Sequence, residues 1–286
     1  MKAAAFDYLR ASSVDEALEA LSTAENAKVL AGGQSLVPLL NRRLARPSVL
    51  VDINGLDLSS IQRTNDHLVL GALTRHRAVE TSPLVARDLP LLTEALRHVG
   101  HVAIRNRGTF GGSLAHADPA AELPAVAVAL DAEFTVRGEH GLRTISARDF
   151  FTGSGQTALE ADELLVEVRL PVLPARTGHA VEELSRRSHD LALVAVFVTV
   201  TLDADGACEQ ARIAIAGAGP TPIRAIAAEE SLRGSVLTPA LIAGAAREAA
   251  AATDPASDLH APADYRRDMA AVLARRAITR ANGSAR

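Results

Sequence analysis

Two stretches of the sequence pair glycines with hydroxyl side chains. Gly32-Gly33-Gln34-Ser35 stands between a short apolar run and an apparent helix, and Thr109-Phe110-Gly111-Gly112-Ser113 repeats that chemistry farther along. Glycine lets backbone N–H groups approach an anion without a Cβ in the way. A helix opening after such a turn adds partial positive charge, and Gln34 and Ser35 can donate to phosphate oxygens. Read alone, the first stretch is more commonly an ordinary strand-to-helix turn. Two such stretches shift the balance, because a diphosphate carries two charged groups that loops converging from opposite sides would hold. The residues themselves leave open which diphosphate.

Asp118 and Glu122 follow the second stretch. Carboxylates there could accept from sugar hydroxyls, as acidic residues do in dinucleotide sites. Asp118-Pro119-Ala120-Ala121-Glu122 equally reads as a helix start, with Asp118 as N-cap, Pro119 first in the helix and Glu122 a favourable first-turn charge. Both readings can hold together, since capping uses part of a carboxylate's capacity.

Other patterns carry less. Gly153-Ser154-Gly155-Gln156-Thr157-Ala158 fits the dinucleotide spacing G-x-G-x-x-G/A but lacks a strand before it and a clear helix after it. His98 and His101 have a spacing compatible with one helix face but no Cys or carboxylate partner in the sequence pattern, so no metal site is expected. Arg186-Arg187-Ser188-His189-Asp190 reads as a solvated strand end, or else as a patch facing a partner or ligand. No nucleophile–base pair stands out, and no catalytic residue is assigned.

The elements that must position these residues follow from periodicity and turn signals. Ser13 with Glu16 fits a capping box ahead of a helix carrying Val14, Leu18 and Leu21. Lys28–Ala31 and 49–53 read as strands, with a helix from Ser35 to Arg43 between them. Thr64-Asn65-Asp66 and Gly138-Glu139-His140-Gly141 read as hairpin turns. Residues 78–99 read as helix broken at Pro83 and Pro90, and 105–124 as a glycine-rich loop leading into a helix over 123–130. After a strand at 164–170, residues 171–178 hold two prolines and a glycine, the best linker. Two strands and three alanine-rich helices follow. Strands arriving as hairpins favour α+β with mixed sheets over a doubly wound parallel sheet.

The bulk numbers narrow the function. A net charge of −4 over 286 residues argues against nucleic acid or an anionic membrane surface as partner. Aromatics make up 3% and Trp is absent, which disfavours a base-stacking platform. The single cysteine, Cys208, excludes an internal disulfide and any Cys-ligated zinc or iron–sulfur centre. The first residues lack a signal-peptide core, and the longest apolar run, 191–200, is too short to span a bilayer. A cytoplasmic protein without an integral membrane segment is expected.

AGGQSLVPLLNRRLARP together with RNRGTFGGSLAHADPAAELP resembles the flavin-binding medium subunit of the molybdenum hydroxylases, the carbon monoxide and xanthine dehydrogenase family. LSRRSHDLALVAV resembles the opening of that family's C-terminal domain. The resemblance implies a vanillyl-alcohol-oxidase (PCMH) type flavin domain over residues 1–176, in two α+β subdomains split near 55–60, and a small α+β C-terminal domain over 177–286. It implies FAD as cofactor. Ala31, Gly32, Gly33, Gln34, Ser35 and Leu36, with Thr109, Phe110, Gly111, Gly112 and Ser113, would hold the diphosphate region. Asp118 and Glu122 would lie near the ribityl or ribose hydroxyls, and Leu164 or Leu165 near the ring system. The implied partners are a small [2Fe-2S] subunit and a large molybdopterin subunit in a heterotrimer that dimerises, plus an external electron acceptor. Glu182 departs from the pattern, since some relatives carry Lys there. Two other readings of the motifs are a stand-alone flavoprotein oxidase or reductase, and a scaffold that has lost the flavin.

Overall fold

Ser13 starts the first helix as its sequence context predicts. Its hydroxyl accepts from the Glu16 N–H at 3.1 Å, while the Glu16 carboxylate reaches back to Ser12, one residue earlier than a standard capping box. The computed structural model describes residues 2–285. Helix α1 (Val14–Thr23) buries Ala17, Leu18 and Leu21 against strand β3 (Val49–Asp52). With β1 (Asp7–Arg10) and β2 (Lys28–Leu30), β3 makes a three-stranded sheet in the order β1-β3-β2. Both pairings are parallel. This unit therefore alternates strand and helix, with α2 (Leu36–Asn41) between β2 and β3, unlike the hairpin pattern of the rest of the chain.

The second sheet is antiparallel. Strands β4 (Ile61–Thr64) and β5 (His67–Gly71) form the expected hairpin, with Asn65 at φ 51° in its turn. Strands β6 (Glu133–Gly138) and β7 (Gly141–Ser146) form the other, with Gly141 at φ 109°. After β7 come a short helix, α9 (Ala147–Phe150), and a two-stranded ribbon of β8 (Phe151–Gly153) and β9 (Gln156–Thr157). Strand β10 (Leu164–Pro171) then inserts between the hairpins, giving the order β4-β5-β10-β6-β7.

Between β5 and β6 run six short helices. Pro83 and Pro90 sit in the first turns of α4 (Pro83–Asp88) and α5 (Pro90–Leu96), where the missing N–H costs nothing, so the prolines divide this stretch after α3 (His76–Glu80). The segment expected as a glycine-rich loop instead contains α6 (Val102–Arg107) and α7 (Phe110–His116). Helix α8 (Glu122–Ala129) is buried on every side, as an all-round apolar helix must be. Asp118 is not its N-cap. That place falls to Ala121, and Asp118 Oδ1 accepts from the Ala120 N–H in a turn one step earlier. Pro119 thus stays outside the helix, and its carbonyl accepts from the Gly217 N–H.

The third sheet is an antiparallel meander of β11 (Thr177–Ser185), β12 (Ala192–Leu202), β13 (Cys208–Ala216) and β14 (Ile223–Arg224). Helices α10 (Ile226–Leu232), α11 (Pro239–Ala251) and α12 (Ala263–Ser284) cover one face. Strand β12 is a near-continuous apolar run, with Thr199 and Thr201 its polar residues and both buried, because both its faces are covered. Val194, Val196, Val198 and Val200 join the core under these helices, while Ala195 and Phe197 join the core of the preceding region. No helix among the described residues is long and apolar enough to cross a membrane.

Candidate functional site

The two glycine segments, distant in sequence, lie against each other. A Cβ on Gly32 would come within 2.4 Å of the Arg107 carbonyl oxygen and 2.8 Å of the Gly108 Cα. One on Gly112 would stand 3.9 Å from the Ala31 Cβ. Ala31 through Leu36 and Thr109 through Ser113 therefore form two walls of one place.

The first wall is a backbone cradle. Among the described residues, the N–H groups of Gly32, Gly33, Gln34 and Ser35 have no protein acceptor. Gly32 is buried, so a bare N–H there is costly without a bound acceptor. Gly33 holds φ at +73°, where a side chain would strain the turn. Helix α2, with six residues, contributes little dipole, so an anion at this loop would be met by the loop N–H groups themselves. Ser35 precedes the helix with its side chain making no capping bond. The Gln34 amide folds back onto the Gly32 carbonyl at 3.3 Å.

The second wall works differently. Four of its five N–H groups are already engaged: Phe110 to the Thr74 carbonyl, Gly111 to the Ala72 carbonyl, Gly112 to the Thr109 hydroxyl and Ser113 to the Thr109 carbonyl, while among the described residues the Thr109 N–H has no acceptor. Gly111 and Gly112 lie in the first turn of α7, with Thr109 as its buried N-cap. Gly111 is required because a Cβ would meet the Ala72 backbone at 2.8 Å. This wall offers close approach, the half-buried Ser113 hydroxyl and the lone Thr109 N–H, not a run of free amides. Ala72 is held from behind, its N–H donating to the Val166 carbonyl of β10 at 3.0 Å.

Glu122, at the start of α8, is 4% exposed. Burial pushes its carboxyl up to about 8, helped by the nearby Glu183 carboxylate and more weakly by Asp118. A carboxyl so placed is a hydrogen-bonding group, neutral at pH 7, and not a fixed charge. Leu164 and Leu165 are each 4% exposed and belong to two different cores, so only their backbone could face a ligand.

Under the second wall lies His76. Its Nε2 is 2.9 Å from the Thr109 carbonyl and its N–H donates to the Gly108 carbonyl. Burial drives the imidazole down to about 4, outweighing the Thr109 bond, so it is neutral. It contacts the turn where a Gly108 Cβ would sit, 2.8 Å from Nδ1. Sequence reading did not single out His76, Asn54 or Arg75. Asn54-Gly55 carries only a turn signal.

A cleft of about 1020 Å³ opens beside the Asp118–Glu122 turn, lined by Pro119, Ala120, Ser154, Arg186, Arg187 and residues of the third sheet. The Gly153–Ala158 loop and the Arg186–Asp190 cluster thus meet at one opening. Glu182 does not join them and pairs with Arg280 of α12 at 2.7 Å. His98 has a carboxylate neighbour that its local sequence conceals, Glu183 at 3.6 Å, yet no group of three or more His, Cys, Asp or Glu among the described residues is placed to hold a metal.

Comparison with known proteins follows the same outline. The family model described as "FAD binding domain in molybdopterin dehydrogenase" matches residues 4–173, and that described as "CO dehydrogenase flavoprotein C-terminal domain" matches 179–281. The chain is 44% identical over 288 residues to the 6-hydroxypseudooxynicotine dehydrogenase complex subunit alpha of Paenarthrobacter nicotinovorans, covering 100% of this chain and 97% of that one. Among solved structures, a chain of carbon monoxide dehydrogenase from Hydrogenophaga pseudoflava superposes with a TM-score of 0.97 at 39% identity, covering 99% of both chains. One of quinoline 2-oxidoreductase from Pseudomonas putida 86 gives 0.95 at 38% identity, over 100% of this chain and 99% of that one.

Proposed function

From the premise that this chain belongs to the family of FAD-binding medium subunits of molybdenum hydroxylases, we propose that it relays electrons within such a complex. It takes them from iron–sulfur clusters on a small [2Fe-2S] subunit, downstream of a large molybdopterin subunit, and passes them to an external acceptor. The three chains form a heterotrimer that dimerises. A chain with one cysteine, itself buried, has no means of holding those clusters and needs the partner that does.

The observation that carries the reading is the run of free N–H groups from Gly32 to Ser35 facing the glycine-bearing turn of α7. FAD bound there supplies the redox chemistry. The chain's own residues hold and orient it. The Gly32–Ser35 amides donate to diphosphate oxygens, with Ala31 and Leu36 framing the cradle. Thr109 and Phe110 fix the facing turn, Gly111 and Gly112 let the ligand close on it, and Ser113 adds a hydroxyl. Asp118 and Glu122 bond sugar hydroxyls, Glu122 as donor or acceptor because it keeps its proton. The backbone at Leu164 and Leu165 borders the ring. We place the flavin domain at 1–176, divided near 55–60, and the C-terminal domain at 177–286.

The test has two parts. The purified chain should bind one FAD, read from its visible absorbance, and should co-purify with a cysteine-rich small chain and a molybdenum-containing large chain. In that complex, substrate should bleach the flavin band under anaerobic conditions. Turnover of a small substrate by the isolated chain, with no partners recovered, would replace the relay by a stand-alone flavoenzyme.

A further inference from the structure

We propose that Asn54 and Arg75 form a strut that sets the spacing of the two glycine segments, making both of them positioning residues for FAD. The proposal rests on the diphosphate reading above and adds what holds the two walls in place.

Among the described residues no hydrogen bond joins 31–36 directly to 107–113. The tightest approach of the walls is where Gly32 presses on the Arg107 carbonyl and Gly108, a contact too close for any side chain. Something else must keep them in register, and one side-chain relay spans the gap. The Asn54 Nδ2 donates to the Ala31 carbonyl at 2.8 Å, at the root of the first segment. Its Oδ1 accepts from Arg75 Nη2 at 2.7 Å. The other Arg75 terminal nitrogen, Nη1, donates to the Arg107 carbonyl, the same oxygen that Gly32 abuts. The relay is anchored at its base, where Asp52 accepts from the Asn54 N–H at 2.9 Å and from its Nδ2 at 2.6 Å, and also from the Tyr8 hydroxyl.

The residue types fit this role and few others. A carboxamide donates and accepts at once, so Asn54 can grip a carbonyl on one side and a guanidinium on the other. A guanidinium has two terminal nitrogens fixed in a fork, so Arg75 can hold Asn54 and Arg107 together, which a single ammonium cannot do with the same geometry. Arg75 is also half-buried, beside the Arg107 guanidinium, a costly place for a cation without a specific task.

The experiment uses the full chain stripped of flavin. FAD affinity is read by fluorescence titration, and folding by circular dichroism and melting without FAD. Asn54→Ala, the near-isosteric Asn54→Asp and Arg75→Met should each weaken FAD binding at least tenfold while the flavin-free chain stays folded. Arg75→Lys should not restore affinity. The double variant N54A/R75M should be no weaker than the weaker single variant, because a strut cut at one end is already cut. Full rescue by Arg75→Lys would assign Arg75 as a simple charge and overturn the proposal, as would unchanged affinity in the single variants or loss of the flavin-free fold in all of them. Gly33→Val separates the two readings. If it abolishes binding while the strut variants do not, the strut alone falls; if it too leaves affinity unchanged, the diphosphate site falls with it.

Discussion

Glu122 and His76 are both buried, and burial moves them in opposite directions. Glu122 keeps in the fold a proton that the unfolded chain releases above 4.5, so its contribution to stability declines as pH rises from 4.5 to about 8. His76 refuses in the fold a proton that the unfolded chain accepts below 6.5, so its contribution is complete above 6.5 and is lost as pH falls toward about 4. Between 4.5 and 6.5 the two slopes oppose each other and nearly cancel. Single variants should uncover them in urea midpoints of the flavin-free chain. Glu122→Gln should leave stability that rises with pH across this window, by on the order of 3 kcal/mol in all. His76→Asn should leave stability that falls through it and on toward pH 8. A flat profile in both would mean that neither group is buried in the state assigned here. Gly33→Val and Gly112→Val test the walls themselves. The first forces a side chain onto a φ of +73°, and the second puts a Cβ 2.5 Å from the capping Thr109 hydroxyl. Each should reduce FAD affinity at least tenfold by titration, with Gly33→Val the more selective because its neighbours are side chains, not a cap.

Among the elements, α7 shows what sequence reveals and what it hides. Thr109 ahead of two glycines is visible as a possible anion turn, and Thr109 does cap the helix. What the sequence could not show is that three amides of this turn are spent on carbonyls of residues 72, 74 and 109, and a fourth on the Thr109 hydroxyl. Two of those acceptors come from the far side of a helical excursion that no local pattern predicts. Thr109→Val removes the cap and should cost about 1 kcal/mol of stability by denaturant midpoint. It should weaken FAD binding less than Gly33→Val does, since the run of free amides lies on the other wall. Asp118 marks a similar limit. Asp-Pro is a sound helix-start signal, but the helix begins at Glu122, after a turn in which the Pro119 carbonyl accepts from Gly217, the residue just past β13. The hairpins at Asn65 and Gly141 were legible because a turn residue with positive φ is a local requirement. The parallel order β1-β3-β2 was not, since strand pairing across a helix leaves no local mark. Asn54 and Arg75 were invisible for the same reason, each being an ordinary polar residue until its partners are brought together.

At the scale of the molecule, the second sheet and the third are joined by an apolar core and a polar seam. Ala195, Phe197 and Ala214 share one core with α5 and α8, while Glu94, Glu182 and Arg280 pair over the rim. Arg280 is 45% exposed, so its pairs should contribute less than about 1 kcal/mol. Phe197→Ala should instead cost about 3–5 kcal/mol, because Phe197 is fully buried. Urea midpoints of the two variants measure the difference, and a larger loss from Arg280→Ala would reverse the assignment. The placement of β10 has a further consequence, for biosynthesis. It is the last strand of its sheet to be made and the central one in space. Until the ribosome has passed Val166, the hairpins β4–β5 and β6–β7 each present an open edge, and Ala72 lacks the support on which Gly111 rests. A nascent chain holding both glycine segments should therefore capture its flavin poorly until β10 is in place, and a stalled one should be exposed to aggregation at those edges.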